Sequence, residues 1–200
     1  MNSSKATHNP SNKVLIIDVA EELFTAQGYR ETTIADIAKK AKMSAANLYR
    51  HFENKEDIAA ECSYRCLERK NRVLREVLEK KRLSASERLE EFIIALLRYT
   101  YEETQNRPKM NETIEVVITS RPEVIHAMLS NLQSMIAEIL AQGNAQKEFA
   151  VENVLVTAET VFASITVFFT PLFMHLYPLP EFERRARAMA ELLVRGLAKR

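Results

Sequence analysis

Apolar positions along this chain recur with helical spacing almost from end to end. From Lys13 they fall at Val14, Ile17, Ala20 and Phe24, with Leu15, Val19 and Leu23 beside them, and Gly28 offers a left-handed stop. Pro10-Ser11-Asn12 marks the start of this first helix, with Ser11 or Asn12 as its cap, and residues 1–10 are expected to be a free polar arm. Thr32 or Thr33 caps a second helix carrying Ile34, Ile37, Ala38 and Ala41, with Asp36 in its first turn where the helix dipole favours negative charge. Ser44 caps again after only Lys42-Met43, and Leu48, Tyr49 and Phe52 resume the spacing; two short helices joined by a tight turn make a helix-turn-helix pattern. A fourth helix restarts at Asn54 and runs through Ile58, Cys62, Cys66, Val73 and Val77 to about Lys81. Ser84 or Ser86 then caps a helix with Leu89, Phe92, Ile93, Leu96, Leu97 and Thr100 on one face, ending before Pro108. Further helices are expected over 109–119, over 122–142 up to Gly143, over 147–176 and over 181–198. The expectation is an all-α chain of about nine helices, with no repeat of solenoid period.

Composition narrows the function classes. With 3 glycines and 6 prolines in 200 residues, turn-dense sandwiches and sheets with phosphate-cradling glycine loops are poor readings. No zinc-binding histidine pair or nucleophile elbow occurs, so no enzyme and no cofactor are expected. The net charge of +1 predicts no nucleic-acid binding for the chain as a whole, so any basic footprint must be local. It is: Ile37 to Phe52 holds Lys39, Lys40, Lys42 and Arg50 and no acid, whereas residues 1–60 together hold eight basic and eight acidic residues. Cys62 and Cys66, one helical turn apart, read as small hydrophobes on the stripe with Ile58 rather than as zinc ligands, so no metal is expected. They cannot staple a secreted scaffold, and Asn2 to Pro10 is no leader, so a reducing cytoplasmic setting follows. Thr160 to Pro180 lacks charged residues. Thr160, Ser164, Thr166, Thr170, His175 and Pro171 interrupt it, however, so it reads as a helix buried by protein and not as a membrane span.

The most specific segment is the string Ala20-Glu21-Glu22-Leu23-Phe24-Thr25-Ala26-Gln27-Gly28-Tyr29, then Thr32-Thr33-Ile34-Ala35-Asp36-Ile37-Ala38, then Ser44-Ala45-Ala46-Asn47-Leu48-Tyr49-Arg50-His51-Phe52-Glu53-Asn54-Lys55-Glu56. It resembles, over about Lys13 to Ala60, the N-terminal DNA-binding domain of the TetR family of transcriptional repressors. The resemblance implies a homodimer on double-stranded palindromic DNA, with the third helix, about Ser44 to Arg50, in the major groove. Ala45 and Ala46 are small enough for close approach and offer methyls to thymine, Asn47 suits adenine edges, and Arg50 reaches guanine or phosphate. Phosphate contacts are expected from Thr33, Tyr49 and Lys55, and His51 matches a family position near the backbone. Lys42 departs from the family's usual glycine in the turn; a positive φ there strains lysine, and a phosphate contact is the possible return.

The resemblance also implies that the remaining chain dimerises and binds a small inducer. Spacing makes the last two helices the dimer candidates, with Val161, Ile165, Phe168, Phe169, Phe173, Met189, Leu193 and Leu197 at an intersubunit four-helix bundle; burial within one subunit is the alternative. A mostly apolar ligand is expected among Phe92, Leu96, Tyr99, Met110, Ile114, Ile118, Met128, Leu132, Phe162 and Thr166, although each is also an ordinary core position. Glu112, Glu115 and His126 either meet a ligand or face solvent. The expected organisation is therefore an arm over 1–10, a helix-turn-helix domain over 11–55 and a regulatory and dimerisation domain over 56–200. The function that the resemblance implies is that of a repressor released by ligand, with a DNA-binding dimer answering to a protein partner or to no effector as the alternative.

Overall fold

The computed structural model describes residues 10–199, so the expected N-terminal arm lies outside the described residues except for Pro10. Among the described residues nine α-helices follow one another: α1 Pro10–Gln27, α2 Ile34–Lys40, α3 Ala45–Leu48, α4 Lys55–Leu78, α5 Ala85–Asn106, α6 Met110–Ser120, α7 Pro122–Ala145, α8 Val154–Ile165 and α9 Leu179–Leu197. Two 3-10 turns, Thr166–Phe168 and Pro171–Phe173, separate α8 from α9.

These helices form two compact units. The first holds the described part of Met1–Cys66 together with Arg107–Ile125, and the second holds Leu67–Asn106 with His126–Arg200. The chain passes from one to the other inside α4, and it gives α6 and the first residues of α7 to the same unit as α1 to α3.

The core of the first unit gathers Ile16, Ala20 and Phe24 of α1, Ile37 of α2, Leu48 of α3, and Ile58 and Cys62 of α4, all with no exposed surface, with Val117 of α6 and Val124 of α7 closing it. The second unit is built on α5, whose Leu89, Phe92, Ile93 and Leu97 are fully buried. α9 packs along it through Phe182, Ala186 and Ala190, and α7 contributes Leu132, Ile136, Ile139 and Leu140. Each of the buried valine, leucine, isoleucine and phenylalanine side chains contributes roughly 1.5–3 kcal/mol, and each alanine less.

Several boundaries differ from the sequence expectation, for identifiable reasons. Ser11 and Asn12, the expected cap positions, lie within the described span of α1, Pro10–Gln27. α7 does not stop at Gly143 but runs to Ala145, and the left-handed stop comes at Lys147 (φ 62). Gly143 serves a close approach instead: a Cβ there would lie 2.1 Å from the Phe149 ring. The long helix expected over 147–176 is only Val154–Ile165, capped by the Asn153 side chain, which accepts from the Val156 N–H at 3.1 Å. Its C-terminal half breaks because Pro171 cannot extend a helix and restricts the residue before it. Thr166 and Thr170 also turn their hydroxyls back onto the carbonyls of Phe162 and Thr166, at 3.1 and 2.8 Å.

Within the second unit, the start of α5 and the end of α9 are tied to the 146–150 loop by polar contacts. The Glu148 carboxylate accepts from the Ala85 and Ser86 N–H groups, both at 3.1 Å, and so caps α5 from a distant loop. The Glu148 carbonyl accepts from the Lys199 N–H at 3.1 Å, and Ala150 N–H donates to the Leu197 carbonyl at 2.9 Å, closing an antiparallel bridge between Phe149 and Ala198.

Candidate nucleic-acid interface

The helix-turn-helix follows from two side-chain caps and one strained turn. Thr33 caps α2 reciprocally with Asp36: the Asp36 N–H donates to the Thr33 hydroxyl at 3.1 Å, while the Thr33 N–H and hydroxyl donate to the Asp36 carboxylate at 2.9 and 2.6 Å. The hydroxyl and backbone donors of Thr33 hold the Asp36 carboxyl below its ordinary range. A carboxyl whose pKa is lower folded than unfolded stabilises above its unfolded pKa, near 3.9, and loses that contribution only as pH falls through the folded value. The cap is therefore intact at neutral pH. Thr32, the other expected cap, is buried, and its hydroxyl donates to the Gly28 carbonyl at 2.7 Å.

α2 ends at Lys40, and Lys42 takes φ 54 in the turn, so the lysine does stand in the left-handed conformation. Lys42→Gly is accordingly expected to raise stability by about 0.5–1 kcal/mol, net of the greater freedom glycine gains in the unfolded chain. A thermal melt midpoint about 1–4 °C higher would register it; an unchanged or lower midpoint would mean that the lysine stem recovers the strain by packing. Ser44 then caps α3 by accepting from the Asn47 N–H at 3.1 Å.

Only four residues, Ala45–Leu48, are α-helical in α3, shorter than the expected Ser44 to Arg50; the chain continues as a turn in which the His51 and Phe52 N–H groups both donate to the Leu48 carbonyl. Leu48 and Phe52 are buried and anchor the element. Their burial turns Ser44, Ala45, Ala46, Tyr49 and Arg50 outward, with Lys42 and Thr33 also exposed; Asn47, His51 and Lys55 are half-buried. Of the basic cluster, Lys40 pairs with Glu22 of α1 at 2.6 Å, so the local surplus of charge is Lys39, Lys42 and Arg50.

Lys55, at the first position of α4, is engaged within the protein. Its ammonium donates to the carbonyls of Tyr29 and Thr32, both at 2.9 Å, and stands 4.0 Å from the centre of the Tyr29 ring. Tyr29 in turn packs on Phe24 at 5.4 Å and donates its hydroxyl to Glu56 at 3.1 Å. Burial, with the neighbouring Glu56 carboxylate, pushes the phenol pKa upward, so it remains a donor.

Polar attachments of α6 to this unit carry no signal in the sequence, because their partners lie more than sixty positions apart. Glu112 accepts the Arg30 N–H at 3.2 Å, Glu115 meets the Arg30 guanidinium at 3.5 Å, Arg107 pairs with Glu21 at 2.5 Å, and Arg121 pairs with Asp57. Glu112 and Glu115 are thus occupied by Arg30, while His126 is exposed.

The residues expected to line a ligand pocket divide between the two units. Met110, Ile114 and Ile118 sit on α6 in the first, where Met110 packs on the core and Ile118 is half exposed. In the second, Phe92, Leu96 and Leu132 are fully buried core, Phe162 packs against that core, and Met128 and Thr166 are half-buried. Tyr99 lines a half-open cavity of about 420 Å³ with Val73, Val77, Ile94, Arg98, Glu102 and Arg187.

The residues expected at a dimer seam are mostly interior. Val161, Ile165, Phe168 and Phe169 are buried within the second unit, and Phe173, Met189, Leu193 and Leu197 pack against its core. Among the described residues of the second unit, the exposed large apolar side chains are instead Leu155 and Val156 of α8, Leu172 and Leu176 beyond it, and Leu192 of α9. Among the described residues there is no cluster of three or more metal-ligating side chains. α7 is long and apolar enough to cross a membrane, but by length and composition alone; its apolar side chains Leu132, Ile136, Ile139 and Leu140 go to the core of the second unit.

Two family profiles match the chain: bacterial regulatory proteins of the tetR family over residues 16–62, and the tetracyclin repressor-like C-terminal domain over residues 85–190. The biofilm operon negative transcriptional regulator IcaR of Staphylococcus epidermidis is 49% identical over 43 residues, which are 22% of this chain and 23% of that one. The chain thus matches about a quarter of the length of the curated relatives. A TetR-family transcriptional regulator of Mesorhizobium loti superposes with a TM-score of 0.77 at 18% identity, covering 94% of this chain and 98% of the other. RolR in complex with resorcinol superposes with a TM-score of 0.64 at 16% identity, covering 94% and 87%. With a helix-turn-helix whose caps, turn and anchors are all in place, and with matching profiles over both parts of its length, this chain is a DNA-binding transcriptional regulator belonging to the TetR family.

Proposed function

We propose that the protein is a repressor that binds a palindromic operator as a homodimer and is released by a small, mostly apolar ligand. The observation that carries the DNA side of this reading is the outward face of α3: Ala45, Ala46, Tyr49 and Arg50 exposed beside Lys42, with no acid between Ile37 and Phe52. The negative regulator IcaR among its relatives supports repression, and the resorcinol complex of RolR supports a small aromatic effector. As a regulator of transcription the protein acts in the bacterial cytoplasm, where the DNA is, and its work is binding and not catalysis.

The competing reading, control by a protein partner or by no effector, draws on the complete burial of Phe92, Leu96 and Leu132, which serve as core. Both readings are tested by selecting duplexes from a random pool with wild-type protein and then titrating the selected complex with simple phenols. The expected duplex carries inverted half-sites one helical turn, about 34 Å, apart. Release by a phenol supports the ligand reading; a complex indifferent to every compound, yet palindromic, supports the second. Enrichment of no sequence would sink both.

A further inference from the structure

The six residues from Gly28 to Thr33 connect α1 to α2 and deliver the Thr33 cap to the α2 N-terminus. This turn is held from two sides by charged groups. From α4, the Lys55 ammonium takes the carbonyls of Tyr29 and Thr32, each at 2.9 Å. From α6, the Glu112 carboxylate takes the Arg30 N–H at 3.2 Å and fills the space beside Gly28, where an added Cβ would come within 2.8 Å of it. Gly28 itself stands at φ 95, a left-handed conformation that requires glycine, and its bare face lets the Glu112 carboxylate lie close against the turn.

We propose that Lys55 and Glu112 are positioning residues of the DNA-binding surface, which fix the 28–33 turn, and through it Thr33 and α2, without touching DNA themselves. The inference rests on the reading that α2 and α3 bind DNA. An ammonium has three N–H donors, and two of those on Lys55 already go to main-chain carbonyls, a geometry that organises the turn and leaves little of the group for a phosphate. Glu112 is an acid inside a unit that must approach a polyanion. By charge alone, its loss should strengthen DNA binding; as a positioning group, its loss should weaken it. The two accounts differ in sign.

The test uses full-length protein and a duplex selected from a random pool by the wild type, with a scrambled duplex of equal length as control. Affinity is measured against salt concentration, at a temperature where circular dichroism shows every variant folded. Glu112→Ala is expected to weaken binding to the selected duplex about tenfold, the scale of one charge-assisted hydrogen bond, and to leave the scrambled duplex almost unaffected. Glu112→Gln, whose amide oxygen still accepts the Arg30 N–H, should recover most of that loss. Lys55→Ala should weaken the selected complex by a similar factor with the salt slope unchanged. A salt slope lower by about one unit would make Lys55 a phosphate ligand and overturn its assignment. Both Glu112 variants binding as tightly as wild type, or tighter, would overturn the role of Glu112. Should the wild type enrich no duplex at all, the DNA-binding reading fails first, an outcome distinct from either of these.

Discussion

Gly143→Ala lowers the stability of the protein by about 3 kcal/mol, while Gly196→Ala raises it by up to about 1 kcal/mol. Both glycines lie inside helices, α7 and α9, where exchange for alanine relieves a backbone penalty of about 1 kcal/mol. At Gly196 nothing lies within 4 Å of the new methyl, so only the helix term acts. At Gly143 the methyl would stand 2.1 Å from the Phe149 ring, and the ring has no room to yield. It is 3% exposed, its own N–H and that of Glu148 donate to the Gly143 carbonyl, and the Phe149–Ala198 bridge pins the backbone on the other side. Either the bridge opens or α7 moves off the core. Melts should show Gly143→Ala lower by about 6–12 °C. Alanine tolerated at Gly143 would show that the 146–150 loop adapts, contrary to the contacts described.

A single glutamate at Leu192 should convert the proposed dimer into monomers and reduce affinity for the selected duplex by about 10²–10⁴, the range over which linking two modest binding events exceeds one. Leu192 is 66% exposed on α9 and Leu155 is 70% exposed on α8. On α8 the outward positions 155, 156, 159, 160 and 163 form one stripe with Glu159 as its sole charge. Apolar side chains left in water on a helix face in this way mark an association surface. In a two-fold interface the substitution enters twice, so two carboxylates lose water together. Leu155→Glu should act alike. A charge at Phe169, by contrast, should unfold the chain instead of dissociating it, because Phe169 is only 9% exposed and belongs to the core. Sedimentation equilibrium separates these outcomes: a dimeric Leu192→Glu variant would move the interface elsewhere.

Local periodicity carried most of the secondary structure and nearly all of the helix-turn-helix, because the Thr33 and Ser44 caps, the strained Lys42 turn and the Leu48 and Phe52 anchors lie within about twenty residues of one another. What periodicity cannot carry is the identity of the partner. An apolar stripe says that a face is covered, not by what, and so the aromatic positions of the 161–169 segment read equally well as an interface or as an interior. Arg88 is a sharper case. At 2% exposure it looks like a surface charge in the sequence, yet it donates to the Lys80 carbonyl at 2.6 Å and to Gln142. Gly143 was visible as a stop signal, but its meaning depended on Phe149 returning to the helix six residues later. Arg107, Glu112 and Arg121 find their partners 86, 82 and 64 positions away, beyond any pattern that a single sequence displays.

The first unit is discontinuous, and that has a consequence for how the protein is made. Its core needs Val117 and Val124, which leave the ribosome about sixty residues after the last of α1 to α3 and the start of α4. At roughly 5–20 residues per second, the nascent helix-turn-helix waits several seconds with one apolar side uncovered before α6 arrives. During that interval the uncovered apolar side is the kind of transiently exposed surface that chaperones shield from aggregation. A gene fragment ending at residue 66 would extend that interval indefinitely.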